Sequence, residues 1–131
     1  MRGLDTNVLV RYLTQDDPVQ SRKAAEMIER RLTLERPGFV SLITMVETVW
    51  VLESVYGLSD QDVAIAVERM LQADTLIVQN EQQVFTAMVV LRRGWGTFAD
   101  ALIGALGAWA GCDSTLTFDK KAGRLTGFEL V

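Results

Sequence analysis

Every run that reads as a β-strand in this chain is only two or three residues long. They are Gly3-Leu4, Phe39-Val40, Leu76-Ile77-Val78, Thr115-Leu116-Thr117 and Phe128-Glu129-Leu130. Longer helical stretches separate the first four. Short strands alternating with helices predict an α/β domain, a central parallel sheet of about five strands covered on both faces in three α/β/α layers. The 131 residues suit one domain spanning 1–131, and 49% apolar with 23% charged residues fits a packed core, not a disordered chain.

The helix boundaries are written in the caps. A first helix is predicted from about Thr6 to Leu13. Asp17-Pro18 opens a second, with Asp as the cap and Pro at the first helical position. It is predicted to run to about residue 35, with Ala25, Ile28 and Leu32 inward, until Pro37-Gly38 breaks it. Ser41 caps a third helix reaching about Tyr56, and Gly57 stops it. Ser59, with Asp62 three residues on, starts a fourth whose apolar stripe is Val63, Val67, Met70 and Leu71. Glu81 to Arg93 is helical, and Gly94 ends it. Thr97 caps a last helix from Phe98 to about Ala110 that is apolar nearly all round and is therefore expected inside the domain.

That last stretch is also the richest apolar run, but Asp100 and two glycines interrupt it, so no membrane span is expected. Met1-Arg2-Gly3-Leu4-Asp5 has no apolar export signal, and the single cysteine, Cys112, has no internal disulfide partner. The expectation is a cytoplasmic protein with Cys112 as ordinary packing. The most restrictive count for chemistry is zero histidines. It excludes catalytic triads, Cys-His pairs, His-based RNA cleavage and His-containing zinc sites. Carboxylates or a cofactor must carry any catalysis. A net charge of −4 is unlike a bare nucleic-acid binder, but bound cations can neutralise an acidic site and contact phosphates.

Taken singly, three acids have bland explanations. Asp5, where the first strand gives way to a helix, reads as an N-cap. Asp100, three residues after Thr97, reads as a capping-box acid. Asp119 reads as a turn or cap residue. Glu47 differs, because it sits among Ile43, Val46, Val49, Trp50 and Val51 with no cation between Ser41 and Trp50. A glutamate in such company is either paired, metal-bound or at the wet edge of its helix. Together, the acids near strand ends fall where ligands gather in parallel sheets, and oxygen-only donors suit Mg²⁺ or Mn²⁺.

The ordered blocks Asp5-Thr6-Asn7-Val8-Leu9, Glu47 with Trp50, Phe98-Ala99-Asp100-Ala101-Leu102-Ile103 and Thr117-Phe118-Asp119 resemble those of PIN-domain ribonucleases, and more narrowly VapC-type toxins of bacterial toxin–antitoxin pairs. The resemblance covers Asp5 to Val131. It implies a metal-dependent endoribonuclease with Asp5, Glu47, Asp100 and Asp119 as catalytic acids. Asp5, Asp100 and Asp119 would hold Mg²⁺ or Mn²⁺, and Thr6, Asn7 and Thr117 would orient ligands or water. It also implies an RNA substrate, a small VapB-like antitoxin partner and a homodimer. The chain departs from the pattern twice. The apolar run before the first Asp is cut to Arg2-Gly3-Leu4, and Gly104 stands where some relatives carry a further acid.

Arg11, Lys120 and Lys121 are candidate phosphate contacts, and equally a solvated surface. Trp95 can stack on a base, but reads first as core cover, and Trp50, Tyr56 and Trp109 read first as packing. Met27, Val49 and Leu52 are candidates for an antitoxin-binding face. The competing function is a phosphoacceptor or phosphatase-like α/β domain with an acidic Mg²⁺ site. The phosphatase pattern, however, needs an acid two residues after the first, where this chain has Asn7.

Overall fold

Five strands form and every pairing between them is parallel, but they pair as one sheet of three strands and one of two, not as a single sheet of five. The structure is a computed structural model describing Met1–Val131. Its backbone divides into two units, Met1–Glu81 and Gln82–Val131.

The first unit holds β1 (Arg2–Gly3), α1 (Thr6–Leu13), α2 (Pro18–Glu26), β2 (Gly38–Val40), α3 (Leu42–Ser54), α4 (Asp60–Gln72) and β3 (Leu76–Val78). The sheet order is β1-β2-β3, with Arg2 opposite Gly38 and Phe39 opposite Ile77. Each parallel step needs a crossover, supplied by α1–α2 and then by α3–α4. The predicted caps are in place: Asp17 accepts from the Gln20 N–H, Ser41 from Thr44 and Ser59 from Asp62. The second helix, expected to run to residue 35, is α-helical only to Glu26. It widens into a π turn over Met27–Arg31, closed by the Leu32 N–H on the Met27 carbonyl at 2.8 Å. The wider turn is followed by Leu32, which is buried and touches the Gly38 backbone position so closely that a Cβ there would meet its Cδ1 at 2.7 Å.

The core of this unit joins Leu9, Ile28, Val40, Met45, Leu52 and Met70, all essentially without exposure. Burying each such side chain contributes about 1.5–3 kcal/mol. Leu76 and Val78 also point inward, while Ile77 between them is 46% exposed, the period of two expected of a strand. Val49 and Leu52, expected as partner-facing, are core residues, because their stripe on α3 is the one that α1 and α4 flank. Met27 is half-buried. The exposed stripe of α3 is instead Ile43, Val46 and Trp50.

Thr48, on the inward side of α3, is fully buried, and its hydroxyl has no hydrogen-bond partner. An unsatisfied buried hydroxyl costs about 1–3 kcal/mol. Replacing it with the isosteric methyl, Thr48→Val, is therefore expected to raise stability by about 1–2 kcal/mol. In a domain of this size the thermal midpoint rises by roughly 2–6 °C. An unchanged or lower midpoint by calorimetry would refute the assignment.

The second unit holds α5 (Glu81–Arg92) from its second residue on, then α6 (Phe98–Trp109), β4 (Thr115–Thr117), a 3₁₀ turn (Ala122–Arg124) and β5 (Phe128–Leu130). Thr115 pairs with Phe128 and Thr117 with Leu130. Gly94 and Gly127 take positive φ, 71° and 86°, where the chain turns out of α5 and into β5. The expectation that α6 is wholly inside does not hold. Only Phe98, Ala101 and Leu102 are buried, Ile103 is 54% exposed, and Trp109 is exposed at the far end. Its high mean hydropathy did not decide its burial, because hydropathy does not say which side of a helix finds a neighbour. Cys112, expected as packing, is exposed in the turn beyond it. No helix is long and apolar enough to cross a membrane.

Candidate active site

Asp5 stands just beyond the carboxyl end of β1, with extended backbone at φ −84° and ψ 158°. Its Oδ1 accepts from the Thr6 N–H at 2.7 Å, so the predicted N-cap role is real and occupies one oxygen. The other oxygen has no protein donor. Capping places Thr6 at the first position of α1, where it is buried, and its hydroxyl donates to Glu47 Oε1 on α3. One threonine thus links the two candidate carboxylates of this unit, through its N–H to Asp5 and its O–H to Glu47. Asn7 is exposed beside it.

Glu47 itself is exposed, not buried among the apolar residues around it in sequence. Its helix presents Ile43, Val46 and Trp50 to the surface on the same side, so burial is not what makes this glutamate unusual. The telling feature is its bond to Thr6 across a separation of 41 residues. Linear sequence carries no sign of that contact beyond the block that contains Thr6.

The second unit holds the other two acids. Thr97 caps α6 by accepting from the Asp100 N–H at 3.1 Å, but the Asp100 carboxylate makes no return bond. The capping-box explanation for this acid is therefore not realised, and the half-buried carboxylate is left for another task. Asp119 follows β4. Its N–H donates to Thr117 Oγ1 at 3.0 Å, and its Oδ1 accepts from the Lys121 and Ala122 N–H groups at 2.7 and 3.0 Å. Asp119 caps the 3₁₀ turn with one oxygen and keeps the other free, while Thr117 fixes its backbone. Gly104, where some relatives carry an extra acid, lies against Phe128. A Cβ there would come within 2.5 Å of the ring, so no larger residue fits without displacing it.

None of these four carboxylates forms an ion pair. Nor do three or more acidic or Cys side chains converge as a ready-made metal cage. Each acid instead offers at least one unbonded oxygen, a hard donor set with no nitrogen or sulfur. That set fits Mg²⁺, which is usually held by one or two carboxylates, with water and substrate phosphates completing its shell. Mn²⁺ accepts the same donors.

The candidate phosphate contacts divide. Lys120 and Lys121 are exposed next to Asp119. Arg11 is already committed. It contacts both oxygens of Asp16 at 3.2 and 3.3 Å, Tyr56 Oη at 2.9 Å and Gln20 Oε1 at 2.7 Å. The tryptophans read as packing are at the surface: Trp50, Trp95 and Trp109 are each at least 60% exposed. The Arg93 guanidinium lies over the Trp95 ring, 5.1 Å from its centre, a cation–π contact.

The Arg11 cluster has a measurable consequence at acid pH. The Tyr56 hydroxyl donates to Asp16 Oδ2 at 2.6 Å, and with help from Thr14 and Arg11 it holds the Asp16 carboxyl below its ordinary value. A carboxyl depressed in the folded state adds stability above its unfolded pKa and loses it as pH falls through the folded one. Glu53 on α3 acts oppositely. Burial first, and Asp60 second, push its pKa up, so the folded state gains as it protonates. Comparison with Tyr56→Phe removes that common background. The variant should lose less stability than wild type on going from pH 6 to below about 4, the usual aspartate range. Identical acid limbs in urea titrations would show that the cluster contributes nothing.

Compared with known families, the chain matches the PIN domain over residues 4–127. No curated protein matches it.

Proposed function

The chain belongs to the PIN-domain family, whose members are in general metal-dependent nucleases, and on that premise we propose that it is an endoribonuclease, the toxin of a type II toxin–antitoxin pair. The observation that carries the catalytic part is the Asp5–Thr6–Glu47 linkage. An exposed pair of carboxylates, held by one buried threonine and free of cations, is what an acid-based phosphodiesterase needs at the end of a strand.

In this reading the catalytic acids are Asp5, Glu47, Asp100 and Asp119. The free oxygens of Asp5, Asp100 and Asp119 would hold Mg²⁺ or Mn²⁺. When bound, such an ion would lower the pKa of water and offset phosphate charge. Asp5 is aimed by the Thr6 N–H, and Asp119 by the backbone N–H groups of Lys121 and Ala122. Thr6 keeps Glu47 Oε1 occupied as an acceptor, leaving Oε2 to orient the attacking water and accept its proton. Asn7 and Thr117 support these positions, and Lys120 and Lys121 contact flanking phosphates. Arg11 has no such role, because Asp16 and Tyr56 already hold it. Nothing specific favours a phosphoacceptor or phosphatase: the residue two beyond Asp5 is the neutral Asn7.

The proposed toxin acts in the cytoplasm as a single domain, residues 1–131. The restraint proposed is a small VapB-like antitoxin, and the toxin is a homodimer in the complex. Surface apolar residues support partners: Ile43, Val46 and Trp50 line the open side of α3. The second unit adds a groove of about 790 Å³ walled by Phe85, Val89, Trp95 and Phe128. Such surfaces accept an amphipathic helix. The purified chain is expected to cut unpaired RNA segments and to spare duplex, because sequence-selective proteins reach splayed bases more easily than a deep groove. Co-expressed with the adjacent upstream reading frame, it should be recovered as an inactive complex. Free, fully active protein would rule the antitoxin out, and equal cutting of uniform duplex would rule out the substrate form.

A further inference from the structure

In a chain with net charge −4, three arginines without counter-ions surround one small cavity. Arg2, Arg31 and Arg36, with Met1 and Leu32, line a pocket of about 310 Å³ in the first unit. None of the three guanidiniums has a carboxylate partner, and Arg2 rests only against the Met27 sulfur at 4.0 Å.

The backbone around them is tied down. Leu32, next to Arg31, is buried on Gly38. The Thr33 N–H donates to the Arg36 carbonyl at 3.2 Å, and the Arg36 N–H donates to Thr33 Oγ1 at 3.0 Å, closing the loop that ends at Arg36. Pro37 is buried immediately after it, and its carbonyl accepts from the Arg2 N–H at 3.0 Å. The π turn, the closed loop and the β1–β2 ladder therefore each deliver one arginine to the same place.

That place is at the amino ends of β1 and β2, whereas Asp5 lies beyond the carboxyl end of β1. Three residue steps along extended chain separate Arg2 from Asp5, roughly 10 Å. The arginine cavity is thus distinct from the Asp5–Glu47 pair, and opposite to it in charge. The three arginines are exposed and line one cavity, so their like charges are unbalanced there, and an anion bound among them relieves that. The planar guanidinium fork matches phosphate oxygens two at a time, which favours phosphate over a simple halide. The volume is near the lower limit for small-ligand pockets, enough for a phosphate or pyrophosphate group with any attached base outside.

We propose that Arg2, Arg31 and Arg36 form an anion site for a phosphate or pyrophosphate group, carried either by a free polyphosphate or nucleotide or by the backbone of RNA. The site does not depend on the nuclease reading, since it uses none of the four acids and no metal. It is tested with the full chain and inorganic pyrophosphate by calorimetry in EDTA, which keeps divalent ions from recruiting pyrophosphate to the carboxylates. Saturable binding is expected, weakened at least about tenfold in Arg31→Ala/Arg36→Ala, because charge-assisted bonds to two guanidiniums are lost. Arg22→Ala, an exposed arginine outside the cavity, should bind as wild type. A thermal melt checks folding, and Arg36→Gln alone repeats the test should the double variant not fold. The absence of saturable binding up to roughly 10 mM, or equal affinity in wild type and variants, overturns the site. Titration of unpaired RNA in the same buffer separates the sources. Parallel weakening in the arginine variants, with a shallower salt dependence, assigns the anion to the RNA backbone. Unchanged RNA binding with pyrophosphate binding lost assigns it to a free polyphosphate.

Discussion

Asp5→Asn is expected to lose RNA cleavage by at least roughly a hundredfold, the scale on which a single strong electrostatic contributor acts. The substitution keeps the shape of the side chain and one carbonyl oxygen. That oxygen can still accept from the Thr6 N–H, so the cap on α1 and the melting temperature should be nearly unchanged. What disappears is the negative charge on the oxygen that faces away from the helix. This separates the two roles of Asp5: capping survives as Asn, and chemistry does not. Single-turnover cleavage of an unpaired RNA, with circular dichroism on the same sample, measures both. Wild-type turnover in both Asp5→Asn and Asp100→Asn would remove the carboxylates from the mechanism. Thr6→Val should act on the same pair indirectly, by releasing Glu47 from its only protein donor.

Chelation is expected to have the largest effect of all, complete loss of cleavage in EDTA and recovery on adding Mg²⁺ or Mn²⁺. The reason is in the donor set. There is no histidine to move a proton, the four acids meet no cation, and no three of them close into a preformed cage. Carboxylates alone repel a phosphodiester, so without a divalent ion the acids oppose substrate binding. An open set of this kind also predicts weak binding in the absence of RNA, because substrate phosphates supply part of the shell. Full activity in metal-free buffer would refute the reading. Retained pyrophosphate binding at the arginine cavity in that same buffer would leave the second site standing.

The helices were legible because their ends are marked by residues acting on neighbours three or four positions away. Thr6–Leu13 matches its prediction in full, and Asp17, Ser41, Ser59 and Thr97 all cap where expected. The π turn after Glu26 was not legible, because what accompanies it is the seating of Leu32 against Gly38, a contact between two elements. Exposure was read less well. Trp50, Trp95 and Trp109 looked like packing from residue type alone, and Val49 and Leu52 looked available to a partner. Hydrophobicity says that a side chain gains by leaving water, but not which face of its helix finds a neighbour.

The candidate acids came from the order and spacing of short blocks, and sequence by itself determined their identity. With no histidine in the chain, it also determined that any catalysis runs on carboxylates or a cofactor. Only the tertiary structure decided what each acid is doing. It showed that Asp5 and Asp119 each spend one oxygen on a cap, that Asp100 spends none, and that Glu47 is reached through Thr6. It also withdrew Arg11 into a cluster with Asp16 and Tyr56, and gathered Arg2, Arg31 and Arg36 from three separate segments. The physical reason is range. Caps and turns are settled by backbone groups within one helical turn, which a local stretch of sequence contains. A hydrogen bond or charge cluster between residues tens of positions apart exists only once packing has fixed where each segment lies.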